Sequence, residues 1–338
     1  MVQKPVDATG VQPASQAGGI LSDWGTGAFW RWQGLETHWR VTGPEDGVAL
    51  VLVHGFGASS DHWRHNAAPL AAAGFRVFSL DLIGFGRSDQ PRHQRGRSLD
   101  NRLWGRQLTA FLEQVVGATR SHPAVLVGNS LGGLSALTAA VLRPDLVSAV
   151  AAAPLPDPVL MQPIPHRQPP LWRRLRRTIV VTAMRLLPLE LLIPVISRTP
   201  LIRLGLQGAY RRSIRGDKDL QRLVAIPSRR GTAPRALRAM SIGMALRPRG
   251  ATAPALMERL GQIQQTPLLL VWGRQDRFVP LMIGKRLKEH HSWLELAVID
   301  NSGHCPHDER PEAFHQVLLS WLDRNLDGER PLQAQRGA

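Results

Sequence analysis

Six short apolar runs, at residues 48–53, 75–80, 124–127, 146–152, 267–272 and 294–299, recur along the 338-residue chain with helical patterns between most of them. Each run is too short for a helix and has the unbroken apolarity of a strand covered on both faces. The intervening helical patterns lie around 61–73, 101–116, 131–142, 280–290 and 309–326. Such alternation predicts the α/β class: a mostly parallel central sheet flanked by helices. Ahead of it, residues 28–41 alternate apolar and polar around Gly34, which predicts an antiparallel hairpin at one sheet edge. Trp24, Trp30, Trp32 and Trp39 read as core and edge packing.

The rhythm stops near residue 159 and resumes after 261, and the interruption is basic and rich in proline. Lys and Arg total 42 against 26 acids, a net charge of +16; residues 160–250 hold 19 of the former and three of the latter, so this one stretch carries the whole imbalance. The predicted organisation is a core over 26–158 and 262–327, an inserted basic helical cap or lid over 159–261, a disordered leader over 1–25 and a C-terminal tail over 328–338. With 43% hydrophobic residues, most of the chain can bury a core. The only cysteine, Cys305, permits no internal disulfide, and residues 1–25 lack the apolar segment of a signal peptide. A cytoplasmic, non-secreted protein is expected. The most apolar stretch, 179–196, is interrupted by Arg185, Pro188, Glu190 and Pro194, so it does not read as a membrane span.

Residues 125–133 read VLVGNSLGG, with Gly128, Ser130 and Gly132 in the order G-x-S-x-G between a strand and a helix. There a serine projects its hydroxyl above the sheet edge while the small glycines let the turn close. The helix N-terminus aims at the same point, which makes the Leu131 N–H a candidate oxyanion donor. Without this context the pentapeptide would read as a Gly-rich turn with a capping serine. His54, Gly55, Phe56 and Gly57 follow an earlier strand, and the Phe56 N–H is the candidate second donor. As phosphate loops, the runs at 55–60 and 84–89 both lack a third glycine, so a nucleotide cofactor is disfavoured.

A serine nucleophile needs a base, and the base an orienting acid. Asp276 and His304 lie just past the runs 267–272 and 294–299, where the ligand crevice of an open α/β sheet opens. The order Ser130, Asp276, His304 is that of one hydrolase class, not of the chymotrypsin or subtilisin types. Alone, His304 would read as a satisfied loop histidine and Asp276 as a cap ahead of Pro280. Asp157 follows another strand and competes for the acid's role, although its flanking prolines suit a turn. His304, Cys305, His307 and Asp308 resemble metal ligands by type but match no metal spacing; neither a metal nor a cofactor is expected.

With these pieces in place, the chain resembles the α/β-hydrolase superfamily over about residues 26–327. More narrowly, WRWQGLETHWRVTG (30–43), HGFGASSDHWR (54–64), DLIGFGRSD (81–89), GNSLGG (128–133) and GHCPHDERPE (303–312) resemble cyanobacterial and plastid hydrolases related to pheophytinase and chlorophyll dephytylase. That resemblance implies a Ser130, Asp276, His304 triad and hydrolysis of the phytyl ester of a chlorophyll-type pigment, with a thylakoid setting. Ser130, where dehalogenase-type relatives carry Asp, argues against haloalkane and epoxide chemistry. A general carboxylesterase or lipase, a perhydrolase and an acyltransferase would share the same residues. The basic stretch reads either as a lid whose arginines meet an anionic membrane or as a solvated face. A non-enzymatic basic module, for membrane or nucleic acid, is the remaining alternative. Nucleic acid is disfavoured because only Trp172 and Tyr210 interleave the arginines.

Overall fold

The computed structural model describes residues 12–13, 24–92, 98–161, 170–263 and 266–326. Its centre is a sheet of strands β1 (Gln12–Pro13), β2 (Thr26–Trp32), β3 (Leu35–Thr42), β4 (Val48–Val53), β5 (Phe75–Leu80), β6 (Ala124–Asn129), β7 (Val147–Ala153), β8 (Leu268–Gly273) and β9 (Glu295–Ile299), in the order β1-β2-β3-β5-β4-β6-β7-β8-β9. The strands from β5 across to β9 run parallel, and β1, β2 and β3 form an antiparallel edge. The hairpin turns at Gln33 and Gly34, both at positive φ, the backbone that suits the twist of a two-residue loop. This is an α/β-hydrolase fold.

Unbroken apolar strands are explained by burial on both faces. On β4, Val51 and Val53 point into one apolar layer and Leu50 and Leu52 into the other, all fully buried. Helices Asn101–Phe111 and Leu131–Leu142 cover the first face, and helix Pro311–Asn325, through Phe314, Leu318, Trp321 and Leu322, covers the second.

The expected leader needs correction at its end. Trp24 is buried in the second layer with the Arg40 guanidinium 4.8 Å over its ring, and Gln12–Pro13 pairs with β2; the rest of the expected leader, like the tail at 328–338, lies outside the described residues. Between β7 and β8 the chain is helical: Pro158–Met161, Pro170–Leu186, Leu189–Arg198, Leu201–Ala209, Lys218–Ser228, Ala233–Leu246 and Ala253–Ile263. Ala253, Leu256, Met257 and Leu260 of the last helix share the first apolar layer with Leu134 and Leu137. A cap ending at 261 would therefore cut through a helix that belongs to the sheet's own layer.

Candidate active site

β4 lies between β5 and β6, so strand order reverses direction there, and sheets of this kind bind their ligands at such a point, outside the carboxyl ends of the parallel strands. Ser130 follows β6 directly, at φ 53° and ψ −117°, a region that costs on the order of 1–3 kcal/mol for a residue with a side chain. Its N–H donates to the Ala153 carbonyl at 3.1 Å. The flanking glycines are steric requirements: a Cβ on Gly128 would stand 2.4 Å from the Gly132 carbonyl carbon, and one on Gly132 would stand 2.1 Å from the Val53 oxygen. Helix Leu131–Leu142 starts at the elbow, and its first N–H groups have no partner within the helix.

His304 Nε2 is 2.9 Å from Ser130 Oγ, and His304 Nδ1 is 2.9 Å from Asp276 Oδ2. An ionised carboxylate only accepts, so Nδ1–H donates to Asp276 and Nε2 is left to accept the serine proton. The second oxygen, Asp276 Oδ1, accepts from the N–H groups of Phe278 at 2.8 Å and Val279 at 3.0 Å. The turn-forming role that competed for Asp276 is thus filled by its other oxygen. The loops after β8 and β9 are laced together by Gln275 N–H to the Ser302 carbonyl, 2.9 Å, and Ser302 N–H to Gln275 Oε1, 3.1 Å. Asp157 is engaged elsewhere: it pairs with Arg247 at 2.5 Å and accepts from Ala253 N–H at 2.7 Å.

The loop after β4 meets the elbow from the other side. A Cβ on Gly55 would lie 2.6 Å from Asn129 Oδ1 and 3.3 Å from Ser130 Cβ, so the peptide carrying the Phe56 N–H borders the serine. Gly57 has φ 72°, and the exposed Phe56 side chain packs perpendicular to Phe85, 5.7 Å between ring centroids. His54 is fully buried: its Nε2 accepts from Leu82 N–H at 3.0 Å and its Nδ1–H donates to the Gly55 carbonyl at 2.7 Å. Burial lowers its proton affinity, outweighing the raising effects of Asp81 and of that carbonyl. It is a neutral tie between two loops.

Other contributors were hidden in the sequence. Asn129, beside the serine, donates to the carbonyls of Ala153 at 2.5 Å and His304 at 3.1 Å. The Glu309 carboxylate accepts from Gly303 at 2.6 Å and from the N–H groups of Arg211 and Arg212, at 2.6 and 3.1 Å. His304 N–H itself donates to the Ala209 carbonyl at 2.7 Å. The inserted helical segment therefore holds the histidine loop directly. The motifs GNSLGG and GHCPHDE contain Asn129 and Glu309, but apart from Gly303 their partners lie 24 to 175 residues away and leave no trace in spacing.

Behind His304, Arg64 bridges Asp217 (2.7 Å) and Asp308 (2.8 Å), Arg212 reaches both, and His62 Nε2 bonds the Tyr210 hydroxyl at 2.7 Å. Arg64 holds Asp217 well below the usual carboxylate range; at Asp308 burial pushes the other way and is overcome by His62 and Arg64. Burial lowers His62 to about 4 and pushes the Cys305 thiol up, which keeps the thiol protonated and unreactive. His307 is fully buried against Trp63, 4.3 Å between ring centroids. Among the described residues no three His, Cys, Asp or Glu side chains gather as a metal site requires.

Residues 50–317 match the model of the Alpha/beta hydrolase family. The chain is 28% identical over 296 residues to a 2-hydroxy-6-oxononadienedioate/2-hydroxy-6-oxononatrienedioate hydrolase of Burkholderia vietnamiensis, covering 86% of this chain and 92% of that one. Among solved structures it is similar to a membrane phospholipase A described as a bacterial virulence factor (TM-score 0.66, 26% identity, 89% of this chain and 87% of that one). It also shares its fold with a thermophilic esterase from Thermogutta terrifontis (TM-score 0.63, 21% identity, 86% and 94%). The family match over residues 50–317 shows the superfamily, and these relatives are named as hydrolases; none of these comparisons shows the narrower likeness to pheophytinase.

Proposed function

The chain belongs to the alpha/beta hydrolase family, and from that footing we propose that it hydrolyses a carboxylic ester of a hydrophobic substrate through an acyl-enzyme on Ser130. The observation that carries this reading is the relay of two 2.9 Å contacts from Asp276 through His304 to a serine at positive φ. Ser130 Oγ attacks the ester carbonyl as His304 Nε2 takes its proton, and Asp276 holds the imidazolium that forms. The N–H groups of Leu131 and Phe56 receive the oxyanion. His304 returns the proton to the departing alcohol; it then takes one from the water that attacks the acyl carbon and gives that proton to Ser130 Oγ as the acyl–oxygen bond breaks and the acid leaves.

The exposed rings of Phe56 and Phe278 flank this relay, with Phe278 5.4 Å from His304, and they favour a greasy ester. The likeness to a phospholipase supports a lipid-like substrate. The motifs at 128–133 and 303–312 point within that class to the phytyl ester of a chlorophyll-type pigment. A second reading, an oxo-dienedioate substrate, is favoured by the name of the Burkholderia relative. A fluorophosphonate probe should label Ser130. Incubation with pigment phytyl esters, long-chain acyl esters, p-nitrophenyl esters and an oxo-dienedioate, with identification of the products, separates the substrates. Absence of labelling at Ser130, together with no turnover of any ester, would overturn the proposal.

A further inference from the structure

The inserted helices wear their apolar side chains outward. On helix Pro170–Leu186, Leu171 and Leu186 are 76% and 77% exposed, and Trp172, Leu175 and Ile179 are exposed with them. At 100° per residue these five fall on one arc of the helix, and Arg174 and Arg185 lie together along its edge. The opposite side is turned to the protein: Val180, Val181 and Met184 are half-buried there, and Arg176, between the two sides, donates to the Ala245 carbonyl at 2.7 Å. The next two helices continue the pattern, with Leu191 71% and Leu204 70% exposed, accompanied by Val195 and Leu201. Monomeric proteins rarely leave such apolar patches to water without a partner.

Charge decides which partner. Residues 170–209 contain seven arginines and one acid, Glu190, whose carboxylate is occupied by Arg238. A second copy docking through the same face would bring like charges together, whereas an anionic surface would neutralise them. An open groove of about 410 Å³ lies where helices Leu189–Arg198, Leu201–Ala209 and Lys218–Ser228 meet; among the described residues its lining holds Arg198, Arg203, Lys218, Arg222 and Arg229 and no carboxylate. Arg222 makes a loose exposed pair, 3.5 Å to Asp219. Outward leucines on helices Leu189–Arg198 and Leu201–Ala209, which also border the basic groove, match a bilayer leaflet, with acyl chains taking the apolar face and phosphate headgroups the groove. Among the described residues no single helix is long and apolar enough to span a membrane, although Arg174–Leu186 and Leu189–Arg198, bent by 56°, pass that test of length and composition as a pair.

We infer that the helices at 170–209 form an interfacial docking face for an anionic lipid leaflet, lying on the bilayer through their apolar arc with headgroup phosphates in the basic groove. This inference is independent of the ester reading. The test is co-sedimentation of the full chain with vesicles of phosphatidylglycerol and of phosphatidylcholine, at low and high salt. Wild type should partition at least tenfold better onto the anionic vesicles, and salt should release it. A Leu171→Glu, Leu186→Glu, Leu191→Glu variant should lose at least tenfold in partitioning while keeping its turnover of a small soluble ester. An Arg198→Gln, Arg203→Gln, Arg222→Gln variant should lose the preference for anionic lipid. Ser130→Ala should bind as wild type does, which separates docking from catalysis. Three results would overturn the inference: partitioning unchanged in the leucine variant, displacement by inorganic phosphate beyond that of chloride at equal ionic strength, or self-association without lipid that the leucine variant abolishes.

Discussion

The sheet layer and the helices inserted after β7 are built from the same aliphatic residues and use them in opposite directions. Leu134, in the helix behind Ser130, has no exposed surface, and Leu186 is 77% exposed. The two regions also treat arginine differently from what the charge count alone conveys. Of the basic residues in the insertion, Arg230 donates to the carbonyls of Gly86 and Ser88, Arg235 to that of Gln90, Arg238 to those of Met184 and Leu187, and Arg247 pairs with buried Asp157. These fasten one region to another or the insertion to itself, and Arg174, Arg177, Arg185 and Arg203 of the outer helices are exposed. Rigidity for chemistry and accessibility for contact are thus separated along the chain.

The separation fails most visibly if catalysis survives damage to the sheet side. Ser130→Ala should lower turnover of any active ester by about 10⁴-fold or more while leaving the fold intact, read by steady-state kinetics and circular dichroism. Wild-type turnover in that variant would remove Ser130 from the chemistry. Asp276→Asn should cost about 10³- to 10⁴-fold in kcat. Asp157→Asn, by contrast, should cost stability, about 3–5 kcal/mol, because Arg247 is left buried and unpaired. The reverse ranking of these two variants would hand the acid's role to Asp157.

Packing offers a sharper contrast. Leu134→Ala should destabilise by about 2–5 kcal/mol in urea unfolding, since it leaves a cavity under the elbow. Acid should loosen the seam between the two regions, where burial lowers the proton affinity of His62 and His307. The sign follows from linkage: between pH 6.5 and about 4 an unfolded chain binds the His62 proton and the folded chain does not. Stability is therefore full above pH 6.5 and falls toward pH 4, by about 3 kcal/mol from His62 alone. A urea midpoint that stays flat across that window would contradict it. The smallest effect belongs to the outer helices: Leu186→Ala should change stability by less than about 0.5 kcal/mol, because its side chain is already in water. A loss comparable to that of Leu134→Ala would mean that Leu186 is covered in solution.

The sheet was legible because strands buried on both faces must be apolar without interruption; the run at 124–127 extends only to Asn129 in the observed β6. The run at 146–152 shifts by one residue, since Leu146 closes a short 3₁₀ turn with Pro144. Ser130, Asp276 and His304 were legible because each sits at a strand's carboxyl end, where topology converges. The ties that set the histidine loop were not. Asn129, the Ala209 carbonyl and the Arg211 and Arg212 amides on Glu309 act through hydrogen bonds between segments distant in sequence, and a carbonyl has no residue-type signature at all. The outward face of the inserted helices was equally hidden, because an amphipathic period does not say which side meets the protein.

The 2.7 Å bond from His304 N–H to the Ala209 carbonyl has a consequence for swapping insertions between relatives. A chimera that grafts a foreign segment at the strand ends would discard that acceptor, together with the Arg211 and Arg212 amides that Glu309 receives and the Asp217 that Arg64 clasps. The transplantable module is the outer part, ending near Leu201–Ala209, and residues 209–217 must stay with the recipient as part of its histidine loop's mould.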